Sequence, residues 1–277
     1  MKRLKNKMNL RVLITVLGLS FLYTGSAQNM GNAQNPYEVE WGQDASVIGL
    51  SVLGQLAAIY RYTNNDPLTE AQIGLLDKND INSFDRIATG YNSSGARLTS
   101  DILLYSSFTT PFLYLANKRT RKGFLQIGVM ATEVFLLNGV TTSFAKELVL
   151  RTRPYVYNPD RGLDEKTSLH ARISFYSGHT SVAASFSFFS AKVFSDYYPD
   201  SKWKPVVWTA AALWPAVTGF SRVAAGEHFP TDVITGYIAG GLIGYFVPHF
   251  HKKKEKTDKV GFSVYPGINS IGLTMTW

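Results

Sequence analysis

The 277-residue sequence has no cysteine and comparatively few acidic residues. Without cysteine, disulfide bonds and thiolate metal sites are excluded. The 28 lysines and arginines outnumber the 20 acidic residues, which gives a net charge of +8 and favours anionic partners such as membrane surfaces or nucleic acid. The basic residues occur in short clusters between apolar segments, without the interleaved aromatics of a nucleic-acid face, so we expect no nucleic-acid partner.

Long apolar runs are also scarce, because most apolar segments are near the lower limit of the about 20 residues that cross a bilayer. Six such segments follow one another, at approximately 45–61, 100–116, 123–142, 180–195, 205–220 and 233–250. They predict an all-α helical bundle, namely a polytopic membrane protein with about five or six membrane helices. The last segment contains glycines that suit close helix packing, in lipid or in a soluble bundle: Gly236, Gly240, Gly241 and Gly244.

The two ends of the chain differ from this helical part. A basic stretch, an apolar run and small residues at 25–27 predict a bacterial secretory signal over 1–27, with an uncleaved membrane anchor as the alternative. Residues 28–44 are rich in Asn and Gln and are interpreted as a linker. The helical domain is expected over 45–251. The basic tail, 252–277, alternates near its end and has a Pro-Gly turn, which predicts a short β-hairpin.

Three short blocks contain the residue types that phosphoryl transfer requires: KELVLRTRP at 146–154, YSGH at 176–179 and SRVAAGEHFPTD at 221–232. Phosphoryl transfer depends mainly on positioning and on stabilising negative charge in the transition state. Lys146, Arg153 and Arg222 can supply fixed cationic donors. Ser177 and Gly178 precede an apolar run, so their backbone N–H groups can point from a helix N-terminus at phosphate.

Two histidines can perform the chemistry. A neutral imidazole at His228 can attack phosphorus, and Asp232, four residues on, can fix its tautomer. Pro230 suits the first turn of a helix, from which Asp232 can reach back toward His228. His179 is available to give a proton to the departing oxygen.

The three blocks resemble the type 2 phosphatidic acid phosphatase (PAP2) superfamily, which includes bacterial class A acid phosphatases and vanadium haloperoxidases. The pattern is K-x6-RP, PSGH and SR-x5-H-x3-D, and the sequence departs from it once, with Tyr176 in place of proline. This departure affects the loop geometry more than the chemistry. The resemblance covers roughly residues 100–250. It implies that His228 is the nucleophile, His179 the general acid and Asp232 the residue that orients His228, with phosphate bound by Lys146, Arg153, Ser177, Gly178 and Arg222.

The expected function is therefore that of a metal-independent phosphatase, without cofactor, which removes phosphate from a lipid phosphate or diphosphate through a phosphohistidine intermediate. A soluble periplasmic acid phosphatase, a vanadium-dependent haloperoxidase and a membrane binding protein with a vestigial site are the alternatives. The basic flank around Arg151 can also be read as a membrane-surface cluster, and Asp232 as a carboxylate that serves a helix dipole. His170, His249 and His251 match no block and are interpreted as loop or interface residues, and 77–85 as a polar loop.

Charge placement predicts the sidedness. The connections 117–123, 192–204 and 251–256 are basic and alternate with those that hold the motifs. By the positive-inside rule, they face the cytoplasm, and the active site faces the periplasm from the inner membrane. A cleaved signal followed by a crossing at 45–61 would reverse this arrangement. Either 45–61 lies along the surface, or the N-terminal segment stays attached and one segment is miscounted.

Overall fold

The computed structural model describes residues 35–253, 261–266 and 271–276. Within these ranges, six helices of 14 or more residues form the framework: α1 (Trp41–Thr63), α2 (Ser94–Ser107), α3 (Phe124–Val149), α4 (Gly178–Tyr197), α5 (Lys204–Ala224) and α6 (Pro230–Phe250). Each includes all or part of one predicted apolar segment, so the predicted all-α class is confirmed. The predicted signal (1–27) lies outside the described residues.

Shorter helical turns lie in the connections. The α-helical turns are Glu70–Gly74, Ser83–Arg86, Lys118–Arg121 and Leu163–Lys166, and the 3₁₀ turns are Lys78–Asp80, Ile87–Gly90, Thr110–Leu115, Pro154–Tyr157 and Leu169–Arg172. The interpretation of 77–85 as a polar loop is therefore incomplete, because this stretch contains helical turns and the side chain of Asp85 is buried.

Local sequence explains where the helices that carry the motifs begin and end. The hydroxyl of Ser177 accepts a hydrogen bond from the Thr180 N–H at 3.4 Å, so Ser177 is the N-cap of α4. Pro230 is the first residue of α6, where its fixed φ is already helical. α3 ends at Val149 because Leu150 adopts a left-handed conformation with φ of 46°.

Helix α4 is the centre of the bundle and packs against α2, α3, α5 and α6. Its closest partner is α6, whose glycines lie directly against the α4 backbone. A Cβ at Gly236, Gly240 or Gly244 would come within 2.5, 2.0 or 2.1 Å of a carbonyl oxygen of α4 or its N-cap. The predicted role of these glycines in close packing is thereby confirmed. Gly241 differs, because its Cβ would meet Phe188 at an ordinary 3.7 Å.

Helix α1 runs lengthwise along α3 and packs against it. At the start of α1, Asp44 Oδ1 is 3.1 Å from Nε2 of His251, the residue that directly follows α6. Just after the end of α1, Asn65 Nδ2 donates a hydrogen bond at 2.6 Å to Oε2 of Glu147, which lies in the last turn of α3. The helix begins at Trp41, so the last four residues of the predicted linker, 28–44, are helical instead.

Two antiparallel strands, β1 (Gly261–Pro266) and β2 (Ile271–Thr276), pair with each other in the tail. The hairpin with a Pro-Gly turn stays a prediction, since residues 267–270 between the strands lie outside the described part of the chain. Among the described residues, two helical segments are long and apolar enough to cross a membrane, Phe124–Tyr157 and Pro230–Phe250. This is fewer than the five or six membrane helices expected from the sequence.

Candidate active site

The three sequence blocks meet at one end of the bundle. Lys146 is in the last turn of α3 and Arg222 in the last turn of α5, while α4 begins beside Ser177. The Ser177 N–H donates to the Asp232 carbonyl oxygen at 3.0 Å, which joins the start of α4 to the first turn of α6. The Tyr155 N–H donates to the Gly226 carbonyl oxygen at 3.0 Å and joins the first block to the third.

A glycine turn directs the third block into the site. α5 ends at Ala224, and Gly226 has φ of 70°, which a residue with a Cβ rarely adopts. A Cβ on Gly226 would also lie 2.2 Å from the carbonyl oxygen of Tyr91. The turn places Glu227 and His228 between α5 and α6, and both side chains are buried.

His228 lies at the centre, with its two ring nitrogens in different surroundings. Nε2 is 3.4 Å from Arg153 Nη1, on the cationic side. Nδ1 is 3.7 Å from Asp232 Oδ2, which is longer than a hydrogen bond, and it has no hydrogen-bond partner among the described residues. Asp232 therefore faces the ring nitrogen that points away from Arg153.

The surroundings of His228 favour its neutral form. The ring is 1% exposed, and this burial lowers the pKa of His228 well below its usual value. The positive charges of Arg153, Arg222 and Lys146 lower it further. A neutral imidazole has a free lone pair, which a nucleophile requires.

The three predicted phosphate-binding cations surround this ring and retain unused donors. Within the described part of the chain, Lys146 Nζ makes one hydrogen bond, to the Ile173 carbonyl oxygen at 3.0 Å, and Arg222 Nε has no partner. Arg153 uses Nε to donate to the His170 carbonyl oxygen at 2.9 Å. Buried cations with unused donors favour an anion.

Glu227 is a residue of the site that the sequence interpretation missed. Its Oε2 accepts from Arg153 at 3.0 Å and from Arg222 at 3.2 Å. Its Oε1 accepts from Arg97 at 2.8 Å and from Arg161 at 3.2 Å. One buried carboxylate thus fixes the direction of both arginines that the sequence assigns to phosphate.

His179 lies in the first turn of α4 and contacts a second carboxylate that was missed. His179 Nε2 is 2.9 Å from Asp101 Oδ1 on α2, and Arg222 Nη1 is 3.6 Å from the same oxygen. The carboxylate of Asp101 thus fixes the orientation of the His179 ring next to Arg222. The signal in the sequence was a single acidic residue within an otherwise apolar segment.

Arg151 and Asp85 hold Asp232 in place. Arg151 donates to Asp232 Oδ1 at 2.6 Å and to Asp85 Oδ2 at 2.8 Å, so this arginine is engaged by carboxylates. Burial raises the pKa of Asp85, but hydrogen bonds from Arg151, Asn82 and Thr231 bring that pKa below its usual value. Asp232 Oδ2 accepts from Ser174 Oγ at 2.5 Å and from the Phe229 N–H at 2.9 Å. Asp232 therefore also caps the first turn of α6, the alternative role that its position suggested.

The remaining predicted residues have less direct contacts with this cluster. Gly178 is the first residue of α4, whose leading N–H groups have no partner within the helix. Tyr176, in place of the expected proline, is buried and donates to Thr141 Oγ1 at 3.0 Å. His170 borders the site, where burial and then the charge of Arg153 lower the pKa of its imidazole.

Comparison with known proteins identifies the class to which this fold and site belong. The sequence profile described as the PAP2 superfamily matches residues 127–256, which include all three blocks. A phosphatidylglycerophosphatase B of Bacillus subtilis is 32% identical over 159 residues, which cover 54% of this chain and 71% of that protein. The chain belongs to the PAP2 superfamily.

Two further proteins are similar to the chain. A lipid A 4'-phosphatase of Porphyromonas gingivalis is 28% identical over 140 residues, 49% of this chain. The match spans 55% of the length of that relative. The crystal structure of a transmembrane PAP2-type phosphatidylglycerolphosphate phosphatase from Bacillus subtilis has a TM-score of 0.41 and 21% identity, and the match covers 77% of this chain and 98% of that one.

Proposed function

We propose that the protein is a phosphatase that removes phosphate from a lipid phosphate or diphosphate through a phosphohistidine at His228. The observation that carries this proposal is the arrangement around the ring. Nε2 faces the cations, with Arg153 Nη1 at 3.4 Å, while Nδ1 faces Asp232 at 3.7 Å. A phosphate held by these cations would have its phosphorus next to the lone pair of a neutral imidazole.

The proposed reaction has two steps. His228 Nε2 attacks phosphorus, a nitrogen–phosphorus bond forms, the bond from phosphorus to the leaving oxygen breaks, and His179 gives its proton to that oxygen. Water then attacks the phosphohistidine and passes a proton to His179, and phosphate leaves as the nitrogen–phosphorus bond breaks. Lys146, Arg153, Arg222 and the N-terminus of α4 at Ser177 and Gly178 stabilise the charge, so the reaction requires no metal ion.

A lipid substrate and a membrane location are supported by the outer surface of the bundle. Helices α1, α3, α4, α5 and α6 have 20 to 26 residues, and 20 residues of helix extend about 30 Å, the thickness of the hydrocarbon core. Large apolar side chains on several helices are exposed: Leu50, Leu53, Tyr60, Leu98, Ile102, Tyr105, Val206, Leu213, Phe220, Ile234, Ile238 and Leu242. Such a surface suits lipid better than water, which disfavours the soluble alternative.

A lipid phosphate as the substrate is supported by the named relatives, which are a lipid A 4'-phosphatase and a phosphatidylglycerophosphatase B. Candidate substrates are phosphatidic acid, phosphatidylglycerophosphate, an isoprenyl diphosphate and the phosphates of lipid A. We place the enzyme in a bacterial inner membrane. The positive-inside rule puts the basic connections in the cytoplasm and the active site in the periplasm.

The test is turnover of these lipids by the purified protein in detergent, beside an activated aryl phosphate. The parent protein should release phosphate from at least one lipid. His179→Asn should lose at least about 100-fold on the lipid and clearly less on the aryl ester, whose leaving group needs little protonation. Absence of turnover on every ester would refute the proposed function. Equal losses on both substrates would mean that His179 only binds phosphate.

A further inference from the structure

A second cluster of titratable side chains lies at the other end of the bundle. It consists of Asp44 in the first turn of α1, Glu133 in α3 and His251 directly after α6, and the ligand atoms of all three lie within 4.8 Å of one another. Glu133 and Lys146 are both on α3, where 13 residues correspond to roughly 20 Å at about 1.5 Å per residue. The cluster is therefore separate from the proposed active site.

Both carboxylates are buried and incompletely satisfied. Asp44 is 5% exposed and Glu133 is 2% exposed. Asp44 Oδ2 and Glu133 Oε1 have no hydrogen-bond partner among the described residues. Both side chains line a cavity of about 280 Å³, together with His251. An unpartnered carboxylate oxygen in a buried position is costly, so these two oxygens point to a missing ligand.

The orientation of His251 suits a metal ligand. His251 Nδ1 is 2.8 Å from the Val247 carbonyl oxygen, which can only accept, so Nδ1 carries a proton. Nε2 then faces Asp44 Oδ1 at 3.1 Å and Glu133 Oε2 at 3.4 Å. Histidines that bind metals commonly donate their other N–H to a backbone carbonyl in this way.

The acidic groups of the cluster outnumber its one basic group. If Nε2 were protonated, one imidazolium would face two carboxylates. Glu38 and Glu40 also line the cavity and add further negative charge. The neighbouring Lys252 is directed elsewhere, because its Nζ pairs with Asp196 at 3.3 Å. A divalent ion with a neutral His251 would neutralise both buried carboxylates.

We propose that Asp44, Glu133 and His251 bind one divalent transition-metal ion such as Zn²⁺ or Mn²⁺. A mixed set of carboxylate and imidazole ligands suits these ions, with water completing the coordination. The backbone already holds the ligands together, since the Glu38 N–H donates to the His251 carbonyl oxygen at 3.0 Å. The ion would join the ends of α1 and α6 to α3, and its role would be structural.

The test uses the purified full-length protein, stripped with a chelator and then dialysed against Zn²⁺ or Mn²⁺. We expect about one bound ion per chain by elemental analysis and a rise in Tm of at least about 3 °C, because a ligand of the folded state stabilises it. Glu133→Gln and His251→Gln should lose both the ion and the Tm shift. His249→Gln is the matched control and should retain both, since His249 packs on Tyr245 and Phe246 outside the cluster.

Two results would overturn the proposal. One is a parent protein that binds no ion and shows no Tm shift. The other is an equal metal content in the parent and in Glu133→Gln. If the variants do not fold, the absorption spectrum of Co²⁺ added to the stripped parent protein tests the proposal. A tetrahedral or five-coordinate nitrogen and oxygen site gives visible absorption that Zn²⁺ removes by competition, and the spectrum of hexaaqua Co²⁺ alone would contradict the site.

Discussion

Glu227 shows how a single residue can organise the charges of the site. Two arginines contact each of its carboxylate oxygens: Arg153 and Arg222 bind Oε2, and Arg97 and Arg161 bind Oε1. The carboxylate reduces the repulsion among these cations and sets the direction of their guanidinium groups. A bound phosphate would add a second anion next to the same arginines.

Replacing this carboxylate should therefore destabilise the protein. We expect Glu227→Gln to lower the free energy of unfolding by about 3 kcal/mol, because buried cations lose their partner. Orthovanadate should raise the Tm of this variant more than that of the parent, because the anion partly replaces the lost charge. Glu165→Gln is the matched control, since Glu165 also binds Arg97 and Arg161 but is about a third exposed. Equal Tm values for the two variants would contradict the organising role.

The buried His228 predicts a dependence of stability on pH. Its pKa is lowered in the folded protein, by burial and by the nearby cations. Below about pH 6.5, the unfolded chain binds a proton at this residue that the folded protein does not, so stability falls as the pH decreases. We expect the Tm of the parent to fall more steeply from pH 7 to pH 5 than that of His228→Gln. Parallel curves would show that His228 titrates normally in the folded protein.

Among individual residues, the sequence identified the site residues that belong to a motif of fixed spacing and missed those that do not. Lys146, Arg153, Arg222, His228 and Asp232 surround one point, as their spacing indicates. Asp101 in α2 and Asp85 in the polar connection are distant in the sequence from the residues that they contact, while Glu227 stands at a position of the third block that the motif leaves unspecified. Long-range pairings of this kind have no periodicity or fixed spacing, so one sequence does not reveal them.

At the scale of elements, the position of the site depends on how closely α6 packs on α4. The two helices carry His179 and Asp232 in their first turns, and the Ser177 N–H bonds to the Asp232 carbonyl oxygen at 3.0 Å. The glycines of α6 allow the backbones to touch, which a larger residue would prevent. Separation of the helices would therefore move His179 away from His228.

Two adjacent glycines provide a matched test of this packing. A Cβ at Gly240 would lie 2.0 Å from the Ser181 carbonyl oxygen, whereas a Cβ at Gly241 would meet Phe188 at 3.7 Å. We expect Gly240→Ala to destabilise the protein by about 1 to 3 kcal/mol. Gly241→Ala should be neutral or slightly stabilising, because alanine favours helix. Thermal unfolding in detergent measures both, and equal stabilities would contradict the close contact.

The elements themselves were largely predictable from the sequence. Apolar segments preceded by serine or proline predicted the ends of α4 and α6 to within three residues. The segment at 100–116 was less accurate, because apolar residues continue to Ala116 while α2 ends at Ser107 and a 3₁₀ turn with Pro111 follows. Apolar composition indicates burial or lipid contact and does not mark where a helix ends.

For the whole molecule, the basic connections recognised in the sequence lie together at one end of the bundle. The connection at 117–123 and the residues after α6 meet at one end, where Arg119 lies 5.2 Å from the ring of Tyr198 and Lys252 pairs with Asp196. The active-site residues are at the other end. Because α1 follows α3 lengthwise, the N-terminus of α1 is also at the basic end.

Sidedness can be tested with single cysteines in this cysteine-free chain. Asp164 is exposed at the active-site end and Ala116 is exposed at the basic end. We expect an impermeant thiol reagent, added to cells with a permeabilised outer membrane, to label Asp164→Cys and not Ala116→Cys. Lysed cells provide the control, in which both should be labelled. If only Ala116→Cys were labelled before lysis, the topology would be the reverse of the one expected.

Trapping the phosphorylated enzyme would show whether His228 carries the phosphoryl group. Purified parent protein is quenched in base during turnover of a ³²P-labelled lipid phosphate, and the labelled residue is located by mass spectrometry. We expect an acid-labile, base-stable phosphate on His228 that is absent from His228→Ala, which should retain less than about 1% of the activity. Full turnover by His228→Ala, or a phosphate on another residue, would contradict it.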